Sequence, residues 1–437
     1  MSPLVLIGLV AVLLWSLVSH RMERWGVAGP AALLVIGAAA ATLDLPAFES
    51  AIDAEWSEKV VEVVLAILLF VDATEVRGRG IFGGEGRITL RLVLIALPLS
   101  LILAAVAGIF ILPDTIVVLI VILVIVCIVM PTDFAPAARI LRLGHVPARV
   151  RQILNVESGY NDGVVSPLFA MSLAMSVGLV ELVRAKPAER ESIAVDGMIH
   201  MGEALVTAVP ATLTAIAVGV VLGALVGWGV KALHRRGFAD DAGVRFVMLL
   251  VPLIAYGGAV AIPVVHANGF VAAFVAGVAY RAVRTRGAGG SIPHAELLLV
   301  EEVGVLAANL VWFVLGASAV VVFVGGVDPS LFLFAALVLT VLRIGPVYVS
   351  LLGSGIRPRD RLLIGALGPR GTASIAFGLL AFNAFPPNSA EGDLVLDVMV
   401  VTVVASVLLH GAVAPVLLRR LDRGSALSAA GADRAPH

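Results

Sequence analysis

Thirteen apolar runs separated by short charged gaps constrain this chain more than any other feature. They fall near residues 3–19, 27–43, 59–74, 89–110, 115–141, 148–177, 205–232, 244–264, 268–283, 302–324, 330–353, 360–384 and 394–418. A hydrocarbon core about 30 Å thick takes about 20 apolar residues per helix, so helices of that length account for most of the chain. Only 14% of the 437 residues are charged and 60% are hydrophobic, whereas a soluble domain carries about 25% charge. A soluble enzyme is excluded. The expected fold class is an all-α polytopic membrane protein of about thirteen transmembrane helices.

The balance of 30 Lys+Arg against 31 Asp+Glu, with no basic run interleaved with aromatics, gives no nucleic-acid partner. Small ions and the lipid bilayer remain as partners. The single cysteine, Cys127, lies in an apolar run, which leaves no disulfide framework and no cysteine-based metal site. No cofactor is expected.

Basic residues test the helix count, because an error of one helix would scramble their alternation between the two sides. With thirteen helices, 24 Lys and Arg fall on one side, in the groups around Arg21, Arg77, Arg139, Lys231, Arg281, Arg357 and Arg419. Four, Lys59, Arg184, Lys186 and Arg190, fall on the other, where Asp44, Glu49, Asp53, Glu55 and Glu58 also cluster. The expectation is an N-terminus outside and a C-terminus in the cytoplasm. The first run lacks a preceding basic stretch and reads as a retained helix, not a cleaved signal peptide.

Residues 1–177 then hold a first repeat of six helices, 178–204 an extracytoplasmic linker with room for an interfacial helix near 193–204, and 205–232 a connecting helix. Residues 244–418 hold a second repeat, inverted by the connecting helix, and 419–437 a short cytoplasmic tail. Inverted repeats of this kind are common in secondary transporters.

Ionisable groups at bilayer depth are costly and are functional candidates by default. Here they are Asp72, Asp133, Glu157, Asp162, Arg343 and Arg370, with Glu62, Glu75, Glu301, Glu302 and Asp397 near helix ends where they can snorkel. The fifth run carries Met130-Pro131-Thr132-Asp133-Phe134-Ala135-Pro136, and two prolines five positions apart predict a helix broken at the aspartate. The twelfth carries Gly365-Ala366-Leu367-Gly368-Pro369-Arg370-Gly371-Thr372, a second break. The two interruptions occupy corresponding positions in the two halves, the best sequence pointer to a transport site. In the sixth run, Glu157, Ser158, Asn161 and Asp162 form one polar stripe on a helix. Such oxygen donors suit a hard monovalent cation, for which a proton on a buried carboxylate can substitute.

Thr132-Asp133, the run Glu157-Ser158-x-x-Asn161-Asp162-Gly163 and Gly368-Pro369-Arg370-Gly371 together resemble the monovalent cation:proton antiporter family, which includes bacterial and animal sodium/proton exchangers. The resemblance implies an antiporter, active in pH homeostasis at the cell membrane, that exchanges sodium or lithium, with potassium a further candidate, for protons. It also implies a homodimer whose mobile core domain carries the ion across. Asp162 matches the essential cation and proton carrier. Thr132, Asp133, Ser158 and Glu157 match residues that shape or coordinate the site. Asn161 matches the electroneutral branch, and Arg343 is the implied partner of Glu157. One departure is that Phe134 and Ala135 separate the Thr-Asp pair from Pro136, where many relatives place proline directly.

Bland assignments stand beside these. Arg370 can offset the negative end of a broken half-helix instead of gating an ion, and Asp72 can line a funnel or simply snorkel. His266 and His410 carry groups that titrate near neutrality, but read more simply as packed residues. The glycines of the seventh run, Gly219, Gly223 and Gly227, read as close-packing positions. A channel of similar topology and a sodium-coupled carrier of organic anions are the competing functions. The first lacks a repeated pore loop, and the second fits poorly with so many carboxylates. An intramembrane enzyme finds no Ser/His pair or His-x-x-x-His spacing within the runs.

Overall fold

In hydrocarbon the backbone has no solvent partner, so each apolar run has to satisfy its N–H and C=O groups within its own helix. The computed structural model follows this rule and contains no strand among the residues it describes, 3–46, 48, 55–75, 85–113, 118–134, 146–185, 190–262, 267–286 and 292–414. The helices are α1 (Pro3–Trp25), α2 (Gly29–Ala41), α3 (Glu55–Glu75), α4 (Gly86–Ile111), α5 (Val118–Val129), α6 (Ala148–Arg184) and α7 (Arg190–Arg235). There follow α8 (Asp241–Val260), α9 (Gly269–Arg284) and α10 (His294–Gly325). The last three positions are α11, divided into α11a (Pro329–Leu339) and α11b (Val341–Ser350); α12, divided into α12a (Pro358–Ala366) and α12b (Thr372–Ala384); and α13 (Ala390–Ser406). Thirteen helical positions result among the described residues. Among the described residues, eight helices are long and apolar enough to cross a membrane by length and composition alone.

Several local features have direct causes. A π-helical stretch, Leu92–Ala96, stands just before Pro98 in α4, where the missing proline N–H and its ring loosen the preceding turn. A second π-helical stretch, Val407–Val413, continues α13. Asp240, Asn268, Asp328 and Ser389 each cap the helix that follows by accepting a first-turn amide. Where the sequence reading places a linker over 178–204, α6 runs on to Arg184 and α7 begins at Arg190, with 186–189 outside the described residues. The connecting helix therefore starts well before residue 205. Glu, Leu and Arg end an apolar run but remain good helix formers. The tail 419–437, Pro136 and His266 also lie outside the described residues.

Two sets of helices emerge from the packing. In one, α2 lies against α10 and α7 against α9, with α1, α3 and α8 beside them. Small residues let these backbones touch. A Cβ on Gly37 would stand 1.9 Å from the Phe313 carbonyl oxygen, and one on Gly223 would stand 2.2 Å from that of Ala276. The other set is α4, α5 and α6 with α11, α12 and α13. Its members hold corresponding places in the two halves, and the fifth and twelfth positions each carry a proline break. The sets meet where α6 faces α9: the Tyr160 and Phe274 rings stand edge to face at 5.6 Å, and Asn268 donates to the Ser166 carbonyl at 3.3 Å.

Candidate functional site

The site grows out of the two breaks. At the end of α5 the amide of Met130 still donates to Val126, 3.0 Å away. Pro131 has no N–H with which to continue, and its ring pushes the residue before it out of the helical region. Residues 130–134 are accordingly non-helical. In the twelfth position, Leu367 makes the last bond of α12a, to Leu363 at 2.9 Å, and Gly368-Pro369 ends the helix for the same reason.

These irregular segments touch. The Asp133 amide donates to the Pro369 carbonyl at 2.9 Å, and Asp133 Oδ2 accepts the Thr372 amide at 2.7 Å. The carboxylate thus lies at the positive N-terminal end of α12b. Gly371 makes room for it, since a Cβ there would be 2.2 Å from Asp133 Oδ2. Beside Asp133, Thr132 is fully buried and held from both ends by α6. Its carbonyl accepts from Ser158 Oγ and its hydroxyl oxygen from Asn161 Nδ2, both at 2.9 Å. Four of the predicted residues, Thr132, Asp133, Ser158 and Asn161, therefore belong to one bonded cluster with the α12 break.

Asp162 follows Asn161 and is only 4% exposed. Its Oδ2, and Asn161 Oδ1, are buried without a hydrogen-bond partner among the described residues. The charges that act on Asp162 are those of Asp133 and Arg370. The next residue, Gly163, presses on the α9 seam, where a Cβ would be 2.4 Å from the Phe274 ring. Buried polar oxygens of a native protein normally find partners. The Asp162 and Asn161 oxygens belong to consecutive residues of α6, in the turn that holds Thr132.

Glu157 points elsewhere. It pairs with Arg343 of α11b, whose Nη2 lies 3.1 Å from Oε1 and 3.2 Å from Oε2, and both side chains are buried. Gly368 admits this arginine, because a Cβ there would be 2.0 Å from Arg343 Nε. The pair neutralises two charges whose separate burial would cost several kcal/mol each, by the usual order of magnitude.

Arg370 is fully buried among carbonyls. Its Nε donates to Val129, Nη1 to Gly368 at 2.5 Å and Nη2 to Val338 at 3.2 Å, while its own amide donates to Ser406 Oγ at 2.8 Å. Val129 is the last residue of α5 and Val338 lies in the last turn of α11a, so one guanidinium meets the negative ends of two half-helices. The guanidinium thus lies at two helix ends, where the sequence reading weighed one. His410 completes the arrangement. Its Nδ1 is 3.2 Å from Ser406 Oγ and its Nε2 is 3.2 Å from the carbonyl of Ala366, the end of α12a.

Sequence reasoning missed several participants. The division of α11 at Thr340 (φ −124°, ψ −94°) has no proline at the break itself, and the available signal was Gly345-Pro346, five and six positions later. Ser406 and Thr372 gave no signal beyond their type. Arg281 and Arg284, counted with the loops, lie in the last turn of α9: Arg281 is buried, and Arg284 with Tyr280 holds the buried Glu296 of α10. Asp72 is half-buried near the end of α3. Glu62 and Glu301 have surface partners, Lys59 at 3.1 Å and His294 at 3.5 Å. Asp397 lines a cavity of about 470 Å³ at the far end of α12b, together with Asn383, Asn388 and Asp393.

The sequence profile of the family described as sodium/hydrogen exchanger, transmembrane, matches residues 8–420. Among solved structures, the sodium proton antiporter MjNhaP1 from Methanocaldococcus jannaschii at pH 8 aligns at a TM-score of 0.74, covering 96% of this chain and 98% of that one at 18% identity. An electron-microscopy structure of the same antiporter aligns at 0.66 with the same coverage and 16% identity. At these identities the likeness concerns the fold. No curated protein sequence matches the chain.

Proposed function

We propose, from the premise that this chain belongs to the transmembrane sodium/hydrogen exchanger family, that it is a secondary antiporter exchanging sodium or lithium for protons, with potassium a third candidate. The observation that carries the reading is the pair of unpartnered buried oxygens, Asp162 Oδ2 and Asn161 Oδ1, beside the meeting point of two broken helices. Deprotonated Asp162 holds the cation. Protonated Asp162 makes the return journey, so one position serves both ions in turn. Asp133, Thr132, Ser158 and Asn161 shape the position, and the Glu157–Arg343 pair and Arg370 hold its walls.

Electroneutral exchange of one proton for one cation fits this composition. Glu157 is already neutralised by Arg343, Asp133 is held by a helix N-terminus, and position 161 supplies an amide instead of a second carboxylate. Access alternates as the set containing α5, α6, α12 and α13 moves against the set containing α9, with the α6–α9 seam beside Asp162 as the sliding surface. The protein works as a homodimer in the plasma membrane, with its N-terminus outside and its C-terminus in the cytoplasm.

The test is dequenching of a pH-sensitive dye in everted vesicles from a host without antiporters, on adding sodium, lithium and then potassium. The unmodified protein is expected to collapse the pH gradient and Asp162→Asn to leave it intact at equal expression. Cation-dependent proton flux through Asp162→Asn would remove Asp162 from its role. Unitary currents would favour a channel, and uptake of an organic anion without proton flux the other carrier class.

A further inference from the structure

Most buried hydroxyl groups inside these helices follow one habit, from which Thr372, like Thr89 and Thr402, departs. Thr74 donates to the carbonyl of Val71 at 2.8 Å, Ser172 to Leu168 at 2.8 Å, Ser176 to Ser172 at 2.7 Å and Ser318 to Val314 at 3.0 Å. Each turns back three or four residues, the usual way for a buried hydroxyl to be satisfied in a helix. Thr372 is 3% exposed, yet its Oγ1 has no hydrogen-bond partner among the described residues.

The carbonyls three and four residues back each already accept another donor. Four residues back, the Gly368 oxygen accepts from Arg370 Nη1 at 2.5 Å. Three back, the Pro369 oxygen accepts from the Asp133 amide at 2.9 Å. Thr372 is also the first residue of α12b, so no helical turn precedes it. Its amide meanwhile holds Asp133 Oδ2 at 2.7 Å, which fixes the residue beside the Asp133 carboxylate. Asp133 follows Thr132, the residue bonded to Asn161. Three unpartnered buried oxygens, from Asp162, Asn161 and Thr372, are therefore contributed by two elements joined through a two-residue segment.

We propose that the Thr372 hydroxyl is a ligand of the transported cation, added from the second broken helix to the oxygens of α6. This rests on the antiporter reading above and names a further member of the same position. A hydroxyl oxygen can coordinate a cation without taking up a charge of its own. It thus strengthens cation binding without adding a second site for a proton.

The experiment compares the full-length protein with Thr372→Val, which keeps the shape and removes the hydroxyl, and Thr372→Ser, which restores it. Purified protein in detergent is titrated with sodium, lithium or potassium chloride at constant ionic strength held by choline chloride, following the cation-induced rise in melting temperature. Exchange is measured in parallel in vesicles. The half-saturating concentration of the preferred cation is expected to rise about tenfold in Thr372→Val, the loss of one interaction of about 1.4 kcal/mol, and to return in Thr372→Ser. The unfolding temperature without cation should change little. An unchanged half-saturating concentration in Thr372→Val, with the unmodified protein exchanging normally, would overturn the assignment of Thr372 and leave the antiporter reading standing. An equal loss of maximal rate for every cation at unchanged half-saturation would also overturn it, in favour of a structural role. Absence of both stabilisation and exchange in the unmodified protein would overturn the two readings together.

Discussion

The carboxylate of Asp133, in the break of α5, accepts the amide hydrogen of Thr372, the first residue of α12b, at 2.7 Å. One half of the chain thereby caps a helix of the other. A helix N-terminus leaves its first amides without intrahelical partners, and a cap here comes from a residue 239 positions away. The bond ties the start of α12b to the break after α5.

Removing the cap should therefore be costly. Asp133→Ala is expected to lower stability by about 1–2 kcal/mol, the range for loss of a side-chain cap. Asp133→Asn, which keeps an acceptor but loses the charge, should cost less, about 0.3–1 kcal/mol. Unfolding in detergent monitored by tryptophan fluorescence ranks the three proteins, and equal losses in both variants would show that the amide contact contributes nothing.

The buried Glu157–Arg343 pair invites a double-mutant cycle. Glu157→Leu strands the Arg343 charge and should destabilise by about 3–5 kcal/mol, as should Arg343→Met, whereas the two substitutions together should recover most of the loss. Expression and melting temperature of the four proteins provide the readout. Additive losses would mean that the two residues act independently.

Arg370 reaches three carbonyls in three directions, and a planar fork is needed for that. Arg370→Lys keeps the charge but can serve only part of the set, leaving buried carbonyls unsatisfied at about 1–3 kcal/mol each. The expectation is a marked drop in folded yield for Arg370→Lys as well as for Arg370→Met. Wild-type stability of the lysine variant would reduce the role of Arg370 to that of a positive charge.

Shared use of Asp162 by two ions dictates a pH profile for the proposed exchange. A falling pH raises proton occupancy, so the sodium concentration for half-maximal flux should climb, by about tenfold per pH unit once protons dominate and with maximal rate unchanged. On the alkaline side it should level off. Flux titrated with sodium at several pH values tests this, and a half-saturating concentration constant across the range would rule out competition at one carboxylate.

How much was legible beforehand follows from where each cause is located. The breaks at Pro131 and Pro369 were readable because a missing N–H is a covalent fact carried by the residue itself. The break at Thr340 was not, since nothing in its own chemistry forbids a helix. The full lengths of α6 and α7 were also hidden, because the end of an apolar run marks where burial stops and not where helical hydrogen bonding stops.

Helix number, side-to-side charge alternation, the two proline breaks and the set of intramembrane charges were determined by the sequence alone, since each depends on one residue's chemistry or on short spacing. Which groups meet was decided only by the tertiary structure. Arg370 bonds to the carbonyls of Val129, Gly368 and Val338, and every residue carries a carbonyl, so no pattern of side chains could single those out. Thr372 is a candidate ligand for the same reason. Its hydroxyl has no partner among the described residues while its amide meets a carboxylate 239 positions away, a juxtaposition that exists only once the chain is packed.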